Sequence, residues 1–134
     1  MLVRLTMISI LGLGIGFTVP ADAKARSPAA TLKLFDTDND GSIDLVEAKK
    51  AAGDLFDKLN KDKDNTIDTK ELQGRLSKKD LAANDPDKDN ALTKDEYLAL
   101  VEARFKAADP DNDGKIDATE LATPAGKDLV RLLK

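Results

Sequence analysis

The residues with the clearest chemistry lie in one twelve-residue stretch, DTDNDGSIDLVE, which spans residues 36–47. Oxygen-bearing side chains occupy positions one, three, five, seven, nine and twelve, namely Asp36, Asp38, Asp40, Ser42, Asp44 and Glu47. A cation of calcium's size takes roughly six to eight oxygen ligands at about 2.3–2.6 Å, so a chain that binds it has to wrap around it. Gly41 lies at position six, where a tight loop needs positive φ. We therefore expect this stretch to hold a hard multivalent cation; the alternative is an acidic turn before a helix.

The same spacing recurs three more times, with loop starts 24, 25 and 24 residues apart. We number the stretches loop 1 (36–47), loop 2 (60–71), loop 3 (85–96) and loop 4 (109–120). The spacing matches the EF-hand loop. The further candidate metal-binding residues are Asn60, Asp62, Asp64, Thr66, Asp68 and Glu71 in loop 2; Asp85, Asp87, Asp89, Ala91, Thr93 and Glu96 in loop 3; and Asp109, Asp111, Asp113, Lys115, Asp117 and Glu120 in loop 4.

The four loops differ in charge. Carboxylates at positions one, three, five, nine and twelve number five, four, four and five in chain order, and the net charges of the loops are −5, −1, −3 and −4. On Coulomb grounds loops 1 and 4 should bind most tightly and loop 2 least. Asn65 and Asn90 replace the position-six glycine, and asparagine tolerates the left-handed region better than most residues.

Composition excludes several classes of function. The chain has no cysteine and no histidine, so a disulfide framework, zinc catalysis and a histidine-dependent nucleophile lack their parts. We therefore expect no enzyme and no catalytic residues.

Residues 1–23, with Arg4, an apolar run and Ala21-Asp22-Ala23, have the pattern of a cleaved secretory signal peptide. The alternative is an uncleaved anchor. We expect residues 24–134 to form a single four-EF-hand domain in the periplasm or outside the cell, without a nucleic-acid or membrane partner.

The connectors between the loops are too short for two helices each. Only residues 48–59 separate loop 1 from loop 2, so one helix has to leave the first loop and enter the second. Gly53 could bend this helix, and we expect a bend in the second connector near Gly74 to Ser77. The third connector should be the straightest. Ser27-Pro28 and Thr123-Pro124 have the pattern of helix starts.

These connectors predict an all-α fold, a compact three-helix bundle of four fused EF-hands with shared connecting helices and metal loops at the periphery. A helix of roughly 15 residues spans about 22 Å, so consecutive loops should lie at opposite ends. The expected pairs are loop 1 with loop 3 and loop 2 with loop 4. We expect the aromatic residues after the signal peptide to pack in the core: Phe35, Phe56, Tyr97 and Phe105. The chain after the signal peptide has few aromatic residues for a core, and it carries 18 clustered carboxylates. We therefore expect its folding to depend on metal.

The close loop spacing, Asp85-Pro86, Asp109-Pro110 and the closing run ELATPAGKDLVRLLK resemble the lanmodulin family of periplasmic lanthanide-binding EF-hand proteins. The resemblance implies selective binding of up to four lanthanide(III) ions, folding upon binding, and partners among the components of lanthanide-dependent methanol oxidation. Calcium would be a weaker or alternative ligand, and the chain would act as a monomer or a metal-dependent dimer. Proline at position two is typical of every loop in that family; Thr37 and Lys61 replace it here.

Charge distinguishes the candidate ions, because each carboxylate attracts a 3+ ion half again as strongly as a 2+ ion at equal distance. The position-nine carboxylates Asp44, Asp68 and Asp117 add to this preference. A calmodulin-type sensor would need a methionine-rich groove, and the only methionines are Met1 and Met7. A calcium buffer or a dockerin-like structural module stays open, since loop chemistry alone does not fix the ion.

Overall fold

The computed structural model describes residues 26–134, so the predicted signal peptide lies outside the described residues. The elements follow in the order α1 (Pro28–Leu32), β1 (Ile43–Asp44), α2 (Leu45–Leu59), β2 (Thr66–Asp68), α3 (Lys78–Ala83), β3 (Ala91–Thr93), α4 (Lys94–Ala108), β4 (Lys115–Ile116), α5 (Ala118–Leu121) and α6 (Pro124–Arg131). The predicted fold class is confirmed in its coarser form, a mostly helical fold with acidic loops and small strand pairs. The described residues contain two 15-residue helices, and the predicted bundle of three main helices is not confirmed.

A short polar side chain starts each of the helices in residues 26–134. The side chains of Ser27 and Thr123 accept hydrogen bonds from the backbone N–H groups of Ala30 and Gly126, each just before a proline at the first helical position. This confirms both predicted helix starts. Ser77 starts α3 in the same way. Such caps satisfy backbone donors that have no partner within the helix.

The two long helices, α2 and α4, pack against each other in antiparallel orientation. Lys49 Nζ lies 2.7 Å from Glu102 Oε2, near one end of the pair, and Lys94 Nζ lies 2.9 Å from Asp57 Oδ1, near the other. Helix α2 leaves loop 1 and enters loop 2 without a break, and it continues through Gly53. One helix therefore serves two loops, as the connector length predicts.

The loops pair differently from the prediction. Strand β1 of loop 1 pairs with β4 of loop 4, and β2 of loop 2 pairs with β3 of loop 3, both antiparallel. The expected pairs, loop 1 with loop 3 and loop 2 with loop 4, are therefore wrong. The reason is the second connector, which turns back through Gln73 (φ 52°) and Gly74 (φ 79°) and leaves loops 2 and 3 at the same end. The predicted bend near Gly74 is confirmed.

The strand pairs and long helices enclose one apolar core. Position eight of each loop is fully buried: Ile43 faces Ile116 across one strand pair and Ile67 faces Leu92 across the other. All four aromatic side chains in the described residues are buried, which confirms their core role. The Tyr97 hydroxyl donates to the Leu132 carbonyl at 2.8 Å and so ties α4 to the end of the chain. None of the helices within residues 26–134 is long and apolar enough to cross a membrane.

Candidate metal-binding loops

Each loop gathers carboxylates around a small space. In every loop, three of the predicted ligands have oxygen atoms within 4.8 Å of one another. The groups are Asp36, Asp38 and Asp40 in loop 1; Asp62, Asp64 and Glu71 in loop 2; Asp85, Asp87 and Asp89 in loop 3; and Asp109, Asp111 and Glu120 in loop 4. The structure thus brings together half of the 24 predicted site residues as carboxylate clusters, and the other twelve belong to the same loops outside these clusters.

Backbone N–H groups shape the loop around the carboxylates. In loop 1, Asp36 accepts from the N–H groups of Asp40 and Gly41 at 3.1 and 3.0 Å. Loop 4 repeats this, since Asp109 accepts from Asp113 and Gly114 at 3.2 and 2.9 Å. A loop curled in this way brings its first and third side chains to a common centre.

Position six takes a positive φ in every loop. The values are 87° at Gly41 and 82° at Gly114, and 70° at Asn65 and 66° at Asn90. Asn65 and Asn90 therefore adopt the left-handed conformation, as predicted from their position in the loops. In loops 2 and 3 this conformation costs conformational free energy, because the left-handed region favours glycine over residues that have a side chain.

Position seven carries a different side chain in each loop. The residues are Ser42, Thr66, Ala91 and Lys115, and the backbone N–H of each donates to the position-five carboxylate at 2.8–2.9 Å. In an EF-hand this position coordinates through its backbone carbonyl, so its side chain is free to vary. The side chain of Lys115 reaches across to Asp40 of loop 1 instead.

Positions nine and twelve act together at the start of the outgoing helix. In loop 1, Asp44 Oδ1 accepts from the Glu47 N–H at 2.7 Å, and Glu47 Oε2 accepts from the Asp44 N–H at 3.1 Å. The same reciprocal pairs are present for Thr93 with Glu96 and for Asp117 with Glu120. In loop 2, Asp68 Oδ1 accepts from the Glu71 N–H at 2.8 Å, although a turn follows instead of a helix. These bonds fix the twelfth carboxylate at the mouth of the loop.

The residue at position two influences the twelfth carboxylate. Glu47 Oε1 accepts from the Thr37 N–H at 2.6 Å and from the Thr37 hydroxyl at 2.9 Å, and Glu71 Oε1 accepts from the Lys61 N–H at 2.9 Å. Loops 3 and 4 have proline there, which has no N–H to donate. The departures from the proline pattern therefore give loops 1 and 2 an extra hydrogen bond to their last ligand. Sequence reasoning missed this role of Thr37.

The third position of every loop carries a carboxyl with a raised pKa. The pKa of Asp87 is raised mainly by its hydrogen bond to Asp85, and that of Asp111 mainly by its hydrogen bond to Asp109. For Asp38 and Asp62, a backbone N–H acts to lower the pKa, but lost hydration and neighbouring carboxylates outweigh it. Crowded like charges favour the protonated form. A cation at the centre of each loop would relieve this repulsion.

The pKa of Asp40 is shifted in the opposite direction. The ammonium group of Lys115, followed by the hydroxyl and N–H of Ser42, lowers the pKa of Asp40 to about 2. Asp40 is therefore the loop 1 carboxylate that is already neutralised by a partner within the protein.

Two position-one oxygens show that the loops fit a cation. Asn60 Oδ1 and Asp85 Oδ1 are buried and have no hydrogen-bond donor among the described residues. Asp85 is only 4% exposed. A buried acceptor without a donor is costly unless a cation or another donor satisfies it. Both atoms occupy the first ligand position of their loops, so an ion in the loop is a suitable partner.

Two comparisons agree with this geometry. A family model described as "EF hand" matches residues 29–47 and 100–123. The alignment with the protein named "Calcium-binding protein A" of Dictyostelium discoideum is 133 positions long with 31% identity, and it covers 67% of this chain and 84% of that protein. The helical fold with paired acidic loops defines a protein that binds hard metal ions. The chain belongs to the EF-hand family.

Proposed function

We propose that this EF-hand protein binds trivalent lanthanide ions in preference to calcium, and that binding drives folding. The observation that carries the proposal is the crowding of carboxylates in all four loops, with the raised pKa at each third position. The electrostatic gain from placing a cation among fixed carboxylates scales with its charge. A 3+ ion of calcium's size therefore gains most from these loops.

The ligands would be the side chains at positions one, three, five and twelve, the backbone carbonyl at position seven, and position nine directly or through water. Loops 1 and 4 have the most carboxylates, so they should be the strongest sites. Loop 2 has a neutral amide at position one, Asn60, and a net charge of only −1. It should be the weakest.

The proposed place of action is the periplasm, after removal of residues 1–23. The sequence pattern of those residues and the resemblance to lanmodulin support this. A role in lanthanide uptake or trafficking for lanthanide-dependent methanol oxidation rests on the same resemblance.

The alternative function is calcium binding by a periplasmic or secreted buffer or structural module. The similarity to the Dictyostelium protein favours it, since that protein is named as calcium-binding. The two functions differ in the ion that the loops select.

A competition titration distinguishes them. The demetallated protein is titrated with Tb³⁺ in a chelator buffer, with and without millimolar Ca²⁺, and bound Tb³⁺ is followed by its luminescence. We expect Tb³⁺ to saturate the strong loops while calcium is in large excess. Equal competition by calcium at comparable concentration would favour the alternative function.

A matched pair of variants tests the electrostatic reason for the preference. Asp36→Asn gives loop 1 the position-one residue of loop 2, whereas Asp54→Asn removes the same charge from the exposed surface of α2. The loss of binding free energy for D36N should be about half again as large for Tb³⁺ as for Ca²⁺, and D54N should change little. An equal loss for both ions would contradict the electrostatic argument.

A further inference from the structure

Lys115 differs from the residues at the equivalent position of the other loops. Loops 1, 2 and 3 have Ser42, Thr66 and Ala91 at position seven, whereas loop 4 has a long cationic side chain. Strand β4 pairs with β1 so that Lys115 lies opposite Asp44. From there its ammonium group forms an ion pair with Asp40, the fifth-position carboxylate of loop 1. A residue of loop 4 thus contacts a predicted ligand of loop 1.

Both oxygens of Asp40 are engaged in this arrangement. Oδ1 accepts from the N–H and hydroxyl of Ser42 at 2.9 and 2.7 Å, and Oδ2 accepts from Lys115. The Asp40 side chain is 32% exposed and that of Lys115 is 50% exposed, so the lysine can swing into water. An ion that enters loop 1 and binds Asp40 has to displace the ammonium group.

Lys115 lies between the acidic groups of two loops. Hydrogen bonding and charge from Asp40 raise the pKa of Lys115 most, and the charges of Asp38 in loop 1 and Asp113 in loop 4 raise it further. The ammonium group is therefore attracted by carboxylates of both loops. An ion in loop 4 would neutralise Asp113 and add positive charge beside the Lys115 backbone.

We propose that Lys115 is a tethered counter-ion of loop 1 that couples the filling of loops 1 and 4. This inference rests on the proposed function, since it requires both loops to bind cations. In the folded chain, while loop 1 is empty, the lysine offsets part of the repulsion within that loop. An ion in loop 4 weakens the hold of the lysine on Asp40 and so makes loop 1 easier to fill, and linkage makes the coupling reciprocal. Displacing Lys115 costs the same free energy for 2+ and 3+ ions. It therefore raises the free-ion concentration at which loop 1 fills with either ion.

Glycine amide signals provide a readout for these two loops. The chain has 8 glycines, and only loops 1 and 4 have glycine at position six, Gly41 and Gly114. With selective ¹⁵N-glycine labelling, NMR cross-peaks of these two residues can be followed while La³⁺ is added in a chelator buffer. The variants are Lys115→Ser, which introduces the residue of loop 1, and Lys115→Met, which keeps an apolar stem. The control is Lys88→Asn, which removes a cation from loop 3 and introduces the residue that loops 1 and 4 have at position four.

We expect both Lys115 variants to bring the midpoint for Gly41 to about two- to fivefold lower free La³⁺, the range expected from breaking a partly exposed ion pair. The Gly41 and Gly114 transitions should also lose part of their mutual dependence. K88N should leave the Gly41 midpoint unchanged. An unchanged midpoint in the Lys115 variants, or an equal shift in K88N, would overturn the inference.

Failure of the proposed function gives a different result. If Gly41 and Gly114 of the unsubstituted protein do not respond to La³⁺ at all, cation binding by these loops is refuted and the inference falls with it. If they respond equally to La³⁺ and Ca²⁺, only the lanthanide preference fails. The shift caused by the Lys115 variants then decides the inference with either ion.

Discussion

Gly126 allows α6 to pack closely against the end of loop 4. A Cβ added at this position would lie 2.3 Å from the Glu120 carbonyl oxygen and 2.6 Å from the Leu121 Cα. Both contacts are with backbone, which cannot rotate away as a flexible side chain can. In Gly126→Ala, helix α6 must therefore move, and overpacking of this kind costs about 1–3 kcal/mol. Because Glu120 is the twelfth residue of loop 4, binding at that loop should weaken as well.

Gly53→Ala is the matched substitution with the opposite expectation. Its Cβ would lie 3.6 Å from the Lys94 side chain, an ordinary contact, within the 15-residue helix α2. Alanine is favoured over glycine inside a helix by about 1 kcal/mol. The two Gly→Ala variants should therefore differ by about 2–4 kcal/mol in their free energy of unfolding.

Urea denaturation of both variants at the same saturating concentration of free La³⁺ measures this difference. Fixing the free ion matters because a bound ligand stabilises the folded state by mass action. In thermal unfolding, each 1 kcal/mol should shift the midpoint by about 4–8 °C for a domain of this size. If G126A is as stable as the unsubstituted protein, or G53A is the less stable of the two, the packing described here is wrong.

Three further predictions concern single groups. Tyr97→Phe removes the buried hydroxyl that donates to Leu132 and should cost about 1–2 kcal/mol in calcium-saturated urea denaturation; no loss would contradict the hydrogen bond. Burial raises the pKa of Tyr97 from 10.0 to about 12. The stabilising effect of the protonated Tyr97 side chain is therefore complete below pH 10.0 and is lost as pH rises towards 12. Ultraviolet titration of this single tyrosine in the calcium-loaded protein checks the shift, and a midpoint near 10.0 would refute it. The ion pairs with Lys49 and with Lys106 lower the pKa of Glu102 from 4.5 to about 2. Its contribution is therefore present above 4.5 and is lost as pH falls towards 2, so the difference in melting temperature between the unsubstituted protein and Glu102→Gln should shrink over that range.

The loops could be predicted from the sequence because their chemistry repeats at fixed spacing. Position eight packs across the strand pairs, position six takes positive φ, and a polar residue starts the outgoing helix in three of the four loops. Each of these features depends on residues within one loop or at the same position of another. Local pattern therefore carries most of the information about the candidate sites.

The loop pairing could not be predicted in the same way. It depends on the direction in which the chain turns after loop 2, and part of that turn lies at Gln73, a residue type that gives little indication of positive φ. With the wrong pairs, the contact between Lys115 and Asp40 could not be foreseen, because it requires loop 1 to lie beside loop 4. The unusual lysine at position seven was the only sequence signal for it.

The close packing at Gly126 is likewise a tertiary feature. The sequence shows a glycine just after a helix start, which by itself indicates a weakened helix. The structure shows that the missing side chain leaves room for the backbone of residues 120–121.

We propose that crowded carboxylates keep the chain loosely folded until highly charged cations neutralise them. Circular dichroism of the chelator-treated protein, first alone and then with La³⁺ added up to one ion per loop, tests this claim most directly. We expect low helix content without metal, a rise to full helix content as the loops fill, and the same rise with Ca²⁺ only at far higher concentration. A demetallated protein that already has its full helix content, and does not change when La³⁺ is added, would contradict the claim.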